Sequence, residues 1–474
     1  MRIFLSLLCI FVCVFSFSQD KPWSLQQCIE YALKNNIQIK QNILNEKLSE
    51  STSLQSKAQL LPSLNGNVSH SYSYGRKIDP FTNEFLSGDW TLSQNFSLST
   101  NVTLFGGFQN LNTIKQSQYD LMASRFSVDK MRNDVSLNIA SAYLQVLFAE
   151  ELYSNALGQS QITKLQADRT KKLVDVGNLP KGNLFDIEAQ LASEDLSVVS
   201  AENNLSLAKL NLAQMLNLDT VQNFSIERPE ISMPAEAVLN TTATQVYDVA
   251  LTRQPEIKSA EFKLKSSEKG ISIAKGGIYP RLTLSASMGT GFSEASKQLG
   301  SPGTYQGYLP NGDTTSTGDL VFSPSFSNST YEDSPFDTQV DNNLNKSFGF
   351  YLTVPIFNNL QTHTAISRAK INRENAELTL QLEKNNLRQK IQQAHNDAVA
   401  ALKKFQASLK AVNAMEESFK YTEQKYNVGA VTATDYNDAK NKLVKTKSDL
   451  LQSKYDYVFK LKVLDFYQGR PISL

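Results

Sequence analysis

Two periods of hydrophobicity divide this chain. From Leu64 to Tyr74, the residues Leu64, Gly66, Val68, His70, Tyr72 and Tyr74 alternate with Asn65, Asn67, Ser69, Ser71 and Ser73. Strict alternation of this kind predicts a strand with one apolar and one wet face. A second such segment sets Leu92, Phe96, Leu98, Val102 and Leu104 against Thr91, Asn95, Ser97, Ser99, Asn101 and Thr103, with Gln94 and Thr100 breaking the rule. Leu282, Leu284, Ala286 and Met288 repeat the pattern, as do Phe348, Phe350, Leu352, Val354 and Ile356. The strands are predicted at 63–75, 91–105, 282–292 and 347–357. Residues 75–90 and 293–346 read as turn-rich connectors between the members of each pair.

Elsewhere the period is seven. Between Gln109 and Asp175 there is no proline and one glycine, Gly158, while Ile114, Leu121, Val128, Val135, Ala142, Ala149 and Ala156 recur in register. The segment Gln361 to Asn427 carries Ile366, Leu380, Leu387, Ala394 and Ala401 in the same way, with Arg373 as the exception. Sustained heptads predict coiled-coil packing in two long helices, 109–175 and 361–427, each about 100 Å long at 1.5 Å per residue. Shorter helices are predicted at 36–60, 183–215, 254–278 and 435–467. Pro62 and Pro280 close two of them, and Gly106-Gly107 and Asn358-Asn359 mark the handover from strand to long helix.

The two halves are copies of one unit. An offset of 218 carries Ala32 to Lys40 onto Ala250 to Lys258 and Pro62-Ser63-Leu64 onto Pro280-Arg281-Leu282. An offset of 252 carries Val102, Phe105 and Gln109 onto Val354, Phe357 and Gln361, then Val176-Gly177 onto Val428-Gly429 and Asp186 onto Asp438. The difference of 34 places an insertion in the second copy between Leu282 and Val354. The organisation read from this is a first repeat over 19–216, a linker over 217–243 containing Pro229 and Pro234, a second repeat over 244–467, and a tail over 468–474.

Composition narrows the function. With 47 Lys+Arg against 46 Asp+Glu in 474 residues, the chain lacks the basic excess that a nucleic-acid partner requires. Arg2 followed by the apolar run Ile3 to Phe17, with Ser16 and Ser18 before Gln19, predicts a secretory signal peptide over residues 1–18. Its removal would leave Cys28 as the one cysteine, so packing rather than a disulfide must hold the exported protein together. After the signal no apolar run is long enough to span a bilayer as a helix. Any membrane contact must then come from strands, the other structure that satisfies its own backbone there. Four strands cannot close a barrel, whereas three chains would supply about twelve and leave a lumen. No catalytic constellation emerges: His70, His363 and His395 lie in separate elements, and neither a His-Glu-x-x-His zinc site nor a Gly-x-Ser-x-Gly elbow is present. No cofactor or metal is implied. His70 reads as an interfacial residue, and Tyr72, Tyr74 and Trp90 as part of an aromatic girdle.

The exported, duplicated arrangement of helix, strand, loop, strand, long helix, Val-Gly turn and helix resembles the TolC-like outer-membrane efflux proteins, from Trp23 to about Tyr467. The resemblance implies an α+β membrane protein. Its homotrimer would form a barrel of about 12 strands in outer-membrane lipid, open outside and continuous with an α-helical coiled-coil tunnel through the periplasm. It implies the exit duct of a tripartite efflux or type I secretion system, joined to a periplasmic adaptor (a membrane fusion protein) and an inner-membrane transporter. The tips Val176-Gly177-Asn178 and Val428-Gly429-Ala430 match the positions where the family meets its adaptor, although glycine there is also an ordinary helix terminator. Asp435 and Asp438 match the family's Asp-x-x-Asp-Ala segment, whose carboxylates ring the periplasmic entrance. The plainer reading is that they are acids of a helix's first turn, capped by Thr432. In the first copy Asp186 is retained but Asn183 stands where the second has Asp435. A reading of another class also fits the pattern: a structural or adhesive trimeric surface protein with a coiled-coil stalk.

Overall fold

The computed structural model describes residues 22–83, 85–88, 90–218, 224–229, 241–301, 303–328 and 330–470. The expected signal peptide, Pro234 of the linker and the last four residues lie outside them. The chain divides into two compact units: a helical one built from residues up to Ser51, Gln118–Ser267 and from Asn372 on, and a sheet unit of Thr52–Ser117 and Glu268–Ile371.

In chain order the elements begin with α1 (Leu25–Asn35), α2 (Ile37–Ala58), β1 (Ser63–Ser73), β2 (Lys77–Ile78), β3 (Phe85–Leu86), β4 (Thr91–Gly106), α3 (Gln109–Asp175) and α4 (Lys181–Leu216). The second half supplies α5 (Ala243–Arg253), α6 (Pro255–Gly276), β5 (Arg281–Ser293), β6 (Lys297–Ser301), β7 (Thr304–Thr314), β8 (Leu320–Ser327), β9 (Thr330–Asp333), α7 (Phe336–Asn342), β10 (Asn345–Thr353), α8 (Gln361–Asn427) and α9 (Ala433–Tyr467).

The sheet unit is a four-stranded antiparallel sheet in the order β1-β4-β5-β10. Its register aligns the alternation across all four strands. Val68 faces Phe96, Leu98 faces Met288, Val102 faces Leu284, and Leu284 faces Phe350, which gives one continuous apolar face. Asn67 faces Ser97, Ser99 faces Ser287, and Ser287 faces Ser347 on the other face. Two of the polar residues on the apolar face, His70 and Gln94, are direct cross-strand partners, and the Gln94 amide meets His70 Nδ1 at 2.9 Å. Tyr74 and Trp90 pack at 5.5 Å at the end of the same strand pair. Among the described residues β1 pairs only with β4, and β10 only with β5. The apolar side chains are bare: Val68 is 72% and Phe348 80% exposed.

Three readings of the sequence are corrected here. The alternation through Leu104 breaks because the register shifts between Thr103 and Phe105, so Phe105 rather than Leu104 stands opposite Leu282. The last strand ends at Thr353, not 357, because Pro355 has no N–H for the ladder. The 293–346 connector is more ordered than its turn-rich sequence suggests: it holds two two-stranded sheets, β6 with β9 and, between them in sequence, the hairpin of β7 with β8, and the helix α7. Handover to the long helices uses matched left-handed pairs, Gly107-Phe108 and Asn359-Leu360.

In the helical unit the heptad positions Val128, Val135, Ala142 and Ala149 of α3 and Leu387, Ala394 and Ala401 of α8 are buried. The helices predicted at 36–60 and 254–278 each have a predecessor that sequence patterning did not separate, α1 and α5. Both begin with a reciprocal capping box, Ser24 with Gln27 and Thr242 with Gln245, at the same offset of 218. Each predecessor stops for a local reason. Asn36 turns its side chain to accept from the backbone N–H groups of Gln38 and Ile39, and Gln254 is held extended by Pro255, the first residue of α6. The main core gathers α1, the middle of α3 and the end of α4 around Cys28, Ile139, Tyr143, Val146 and Leu212. Tyr143 Oη donates to the carbonyls of Trp23 (3.1 Å) and Glu227 (2.7 Å), so the buried hydroxyl ties the N-terminal segment to the segment after α4. Burial pushes the Cys28 thiol up to about 12, which leaves it inert.

Candidate functional site

The residues singled out in the sequence sit at two helix-to-helix turns, α3 to α4 and α8 to α9. Both long helices end in the same way. Gly177 N–H donates to Val174 O (2.9 Å) and Asn178 N–H to Leu173 O (2.8 Å); Gly429 N–H donates to Tyr426 O (2.9 Å) and Ala430 N–H to Lys425 O (2.8 Å). These paired bonds form Schellman motifs, and they need a left-handed residue after the last turn. Gly177 at φ 78° and Gly429 at φ 76° supply it. Among the described residues no atom would lie within 4 Å of a Cβ at either glycine, so within the chain it is backbone conformation that favours glycine. The valine before each glycine is bare, Val176 at 69% and Val428 at 79% exposed, and Asn178 and Ala430 are exposed as well. The turn thus presents an apolar knob that its own chain leaves uncovered.

The starts of the next helices differ. Thr432 caps α9: Asp435 N–H donates to Thr432 Oγ1 (3.2 Å), and Asp435 Oδ2 accepts from Thr432 N–H (3.2 Å) and Thr432 Oγ1 (2.6 Å). The Thr432 hydroxyl, then its N–H, hold the Asp435 carboxyl below its ordinary range. The first-turn reading of Asp435 is therefore realised, and it leaves the carboxylate charged and exposed. Asp438 lies one turn further on, exposed. In the first copy Pro180 precedes α4 and offers no side-chain cap. Asn183 is half-buried and Asp186 exposed. Among the described residues no hydrogen bond or ion pair joins Asn183 or Asp186 to Asp435 or Asp438.

A buried polar cluster joins the two copies instead. Lys440 Nζ donates to Thr163 Oγ1 (2.6 Å) and pairs with Glu194 Oε1 (3.4 Å), with both charged side chains more than nine-tenths buried. Gln190 reaches Glu194 (2.8 Å) and Asn441 (2.9 Å). Tyr436, one turn before Lys440, stacks on Tyr426 at 4.7 Å and takes a hydrogen bond from Gln166 (3.3 Å). Burial lowers the Lys440 pKa, against the attraction of Glu194. The i,i+4 spacing of Tyr436 and Lys440 was the available signal, because it sets them on a different face of α9 from Asp435.

The chain therefore combines a two-faced sheet with a duplicated pair of helical turns. The sequence profile described as outer membrane efflux protein matches residues 28–218 and 246–470. Outer membrane protein TolC of Escherichia coli is 23% identical over 453 residues, 93% of this chain and 81% of TolC. Cation efflux system protein CusC of Escherichia coli is 23% identical over 447 residues, 90% of this chain and 82% of CusC. The crystal structure of the Campylobacter jejuni CmeC outer membrane channel superposes with a TM-score of 0.73 at 17% identity, covering 95% of this chain and 87% of CmeC. These similarities favour a channel over an adhesive stalk. The chain belongs to the outer membrane efflux protein family.

Proposed function

We propose that three copies of this chain close their sheets into one barrel of about 12 strands, and that the trimer is the passive exit duct of a tripartite export system. The observation that carries this reading is the sheet itself. It has one continuous apolar face for lipid and one polar face for a lumen, and its edge strands β1 and β10 each lack a second partner within the described residues. An edge of this length is a template for another strand, and closure between copies satisfies it. The exposed valines of the two Val-Gly turns suit a periplasmic adaptor, and an inner-membrane transporter would supply the energy. Asp435, Asp438 and Asp186 of three copies would gather carboxylates at the helical mouth, a field that attracts cations. Asn183 takes no part in that charge. The test has two arms. The solubilised protein should have three times the protomer mass, and a monomer would refute closure between copies. Asp435→Ala combined with Asp438→Ala should weaken block of the channel by multivalent cations added at the helical end, and unchanged block would reject the acidic mouth.

A further inference from the structure

The polar face of the sheet is not open along its whole length. At the end of the strands opposite the handover from β4 to α3, Thr91, Gly291 and Ser293 are buried, although they lie on the face that carries Asn95, Ser97 and Ser99. The cover is the connector between β1 and β4. Asp79, fully buried, accepts from the backbone N–H groups of Phe81 and Thr82 (both 2.9 Å) through Oδ1 and from Ser293 Oγ through Oδ2. The backbone of Ser293 is itself clamped by Gln339, which accepts from its N–H (2.9 Å) and donates to its carbonyl (3.0 Å). The Asp79 turn aims the Phe81 ring at Gly291, where a Cβ would overlap the ring. Gly291 faces Asn95, so the ring lies on the polar side of the sheet. On the opposite face the α7 residue Phe336 packs against Phe292 and Phe96. An aromatic ring over a lumen-facing glycine, anchored by a buried carboxylate, is a built feature and not a solvent loop: a connector with no task there would leave the polar strand ends to water.

We infer that Phe81, seated on Gly291 and held by Asp79, forms an outer constriction of the lumen and determines what passes the extracellular end. This rests on the trimeric duct reading, in which three Phe81 rings face one another across the barrel. It departs from the open outer end that family resemblance implied. The ring selects by size and apolar contact, whereas the helical mouth selects by charge, so the duct carries two filters of different chemistry.

The test uses the full chain in planar bilayers. Phe81→Ala should raise single-channel conductance by about 1.5-fold or more, and Phe81→Trp should lower it. Phe81→Cys should be blocked by a bulky thiol reagent added on the extracellular side, with Cys28 silent because it is buried and is the one free cysteine among the described residues. Wild-type channels that match Phe81→Ala and Phe81→Trp in conductance, together with a Phe81→Cys channel indifferent to the reagent, overturn the constriction and leave the duct intact. Absence of channels in every form overturns the duct and the constriction with it.

Discussion

The α3–α4 and α8–α9 turns, which an offset of 252 brings into register, end their long helices with the same two hydrogen bonds, yet they begin the next helices differently. The second copy has Thr432 and Asp435 in a reciprocal cap and Lys440 buried against Glu194; the first has Pro180, Asn183 and, at the position of Lys440, an exposed Glu188. Stopping a helix with a left-handed residue has essentially one cheap solution, so both copies keep glycine. Starting a helix and pairing it with a neighbour has many, so those positions were free to take separate duties. The matched scaffold thus supplies equal corners, and their different residues make one of them a place where the copies are tied together, as β4 and β5 tie them in the sheet.

Substitutions at the two corners should have unequal effects where their residues differ. The largest effect belongs to the buried pair. Lys440→Ala strands Glu194 and should cost about 3 kcal/mol of stability, while Glu188→Ala should stay within about 0.5 kcal/mol; thermal unfolding of the solubilised protein would show this, and equal losses would deny the asymmetry. Next come the shared stops. Gly177→Ala and Gly429→Ala should each cost about 1–2 kcal/mol, nearly the same in both copies, because both force a Cβ into the left-handed region. Unequal costs would mean that contact rather than conformation selects the glycine. Smaller again is the cap: Thr432→Ala should cost about 1 kcal/mol through the lost cap, whereas Pro180→Ala, which removes no side-chain cap, should cost about 0.5 kcal/mol through unfolded-chain entropy alone.

The smallest effect is a pH dependence. The Asp435 carboxyl titrates below its ordinary 3.8, so its contribution is complete above that value and is lost as pH falls through the depressed folded-state pKa. The stability difference between wild type and Thr432→Ala should be flat above about pH 5 and shrink as acid protonates Asp435. A difference that grows on acidification would contradict the capping account.

Much of the fold was legible because it rests on periodicity. Alternation fixed which faces of the four strands are wet, and breaker-free heptads located the two long helices, since both patterns are read over many residues at once. What escaped was set by single residues acting locally. Asn36 and Pro255 divide helices whose apolar pattern runs on. Leu104 is displaced by a bulge that alternation does not encode, and Pro355 ends a strand whose pattern continues past it. At the helical turns, the glycines and the Thr432 cap were visible as motifs, but the Lys440–Glu194 pair joins residues distant in sequence, and Phe81 meets Gly291 across a similarly long separation. Such contacts depend on the register of the assembled sheet and helices, which no local window contains.

If the polar face of the sheet lines a lumen, that lumen conducts ions. Purified full-length protein in a planar bilayer measures this directly. Discrete, long-lived single-channel steps whose size changes when Phe81 is replaced are expected, and a bilayer that stays silent under every voltage and ionic condition would contradict a conducting lumen.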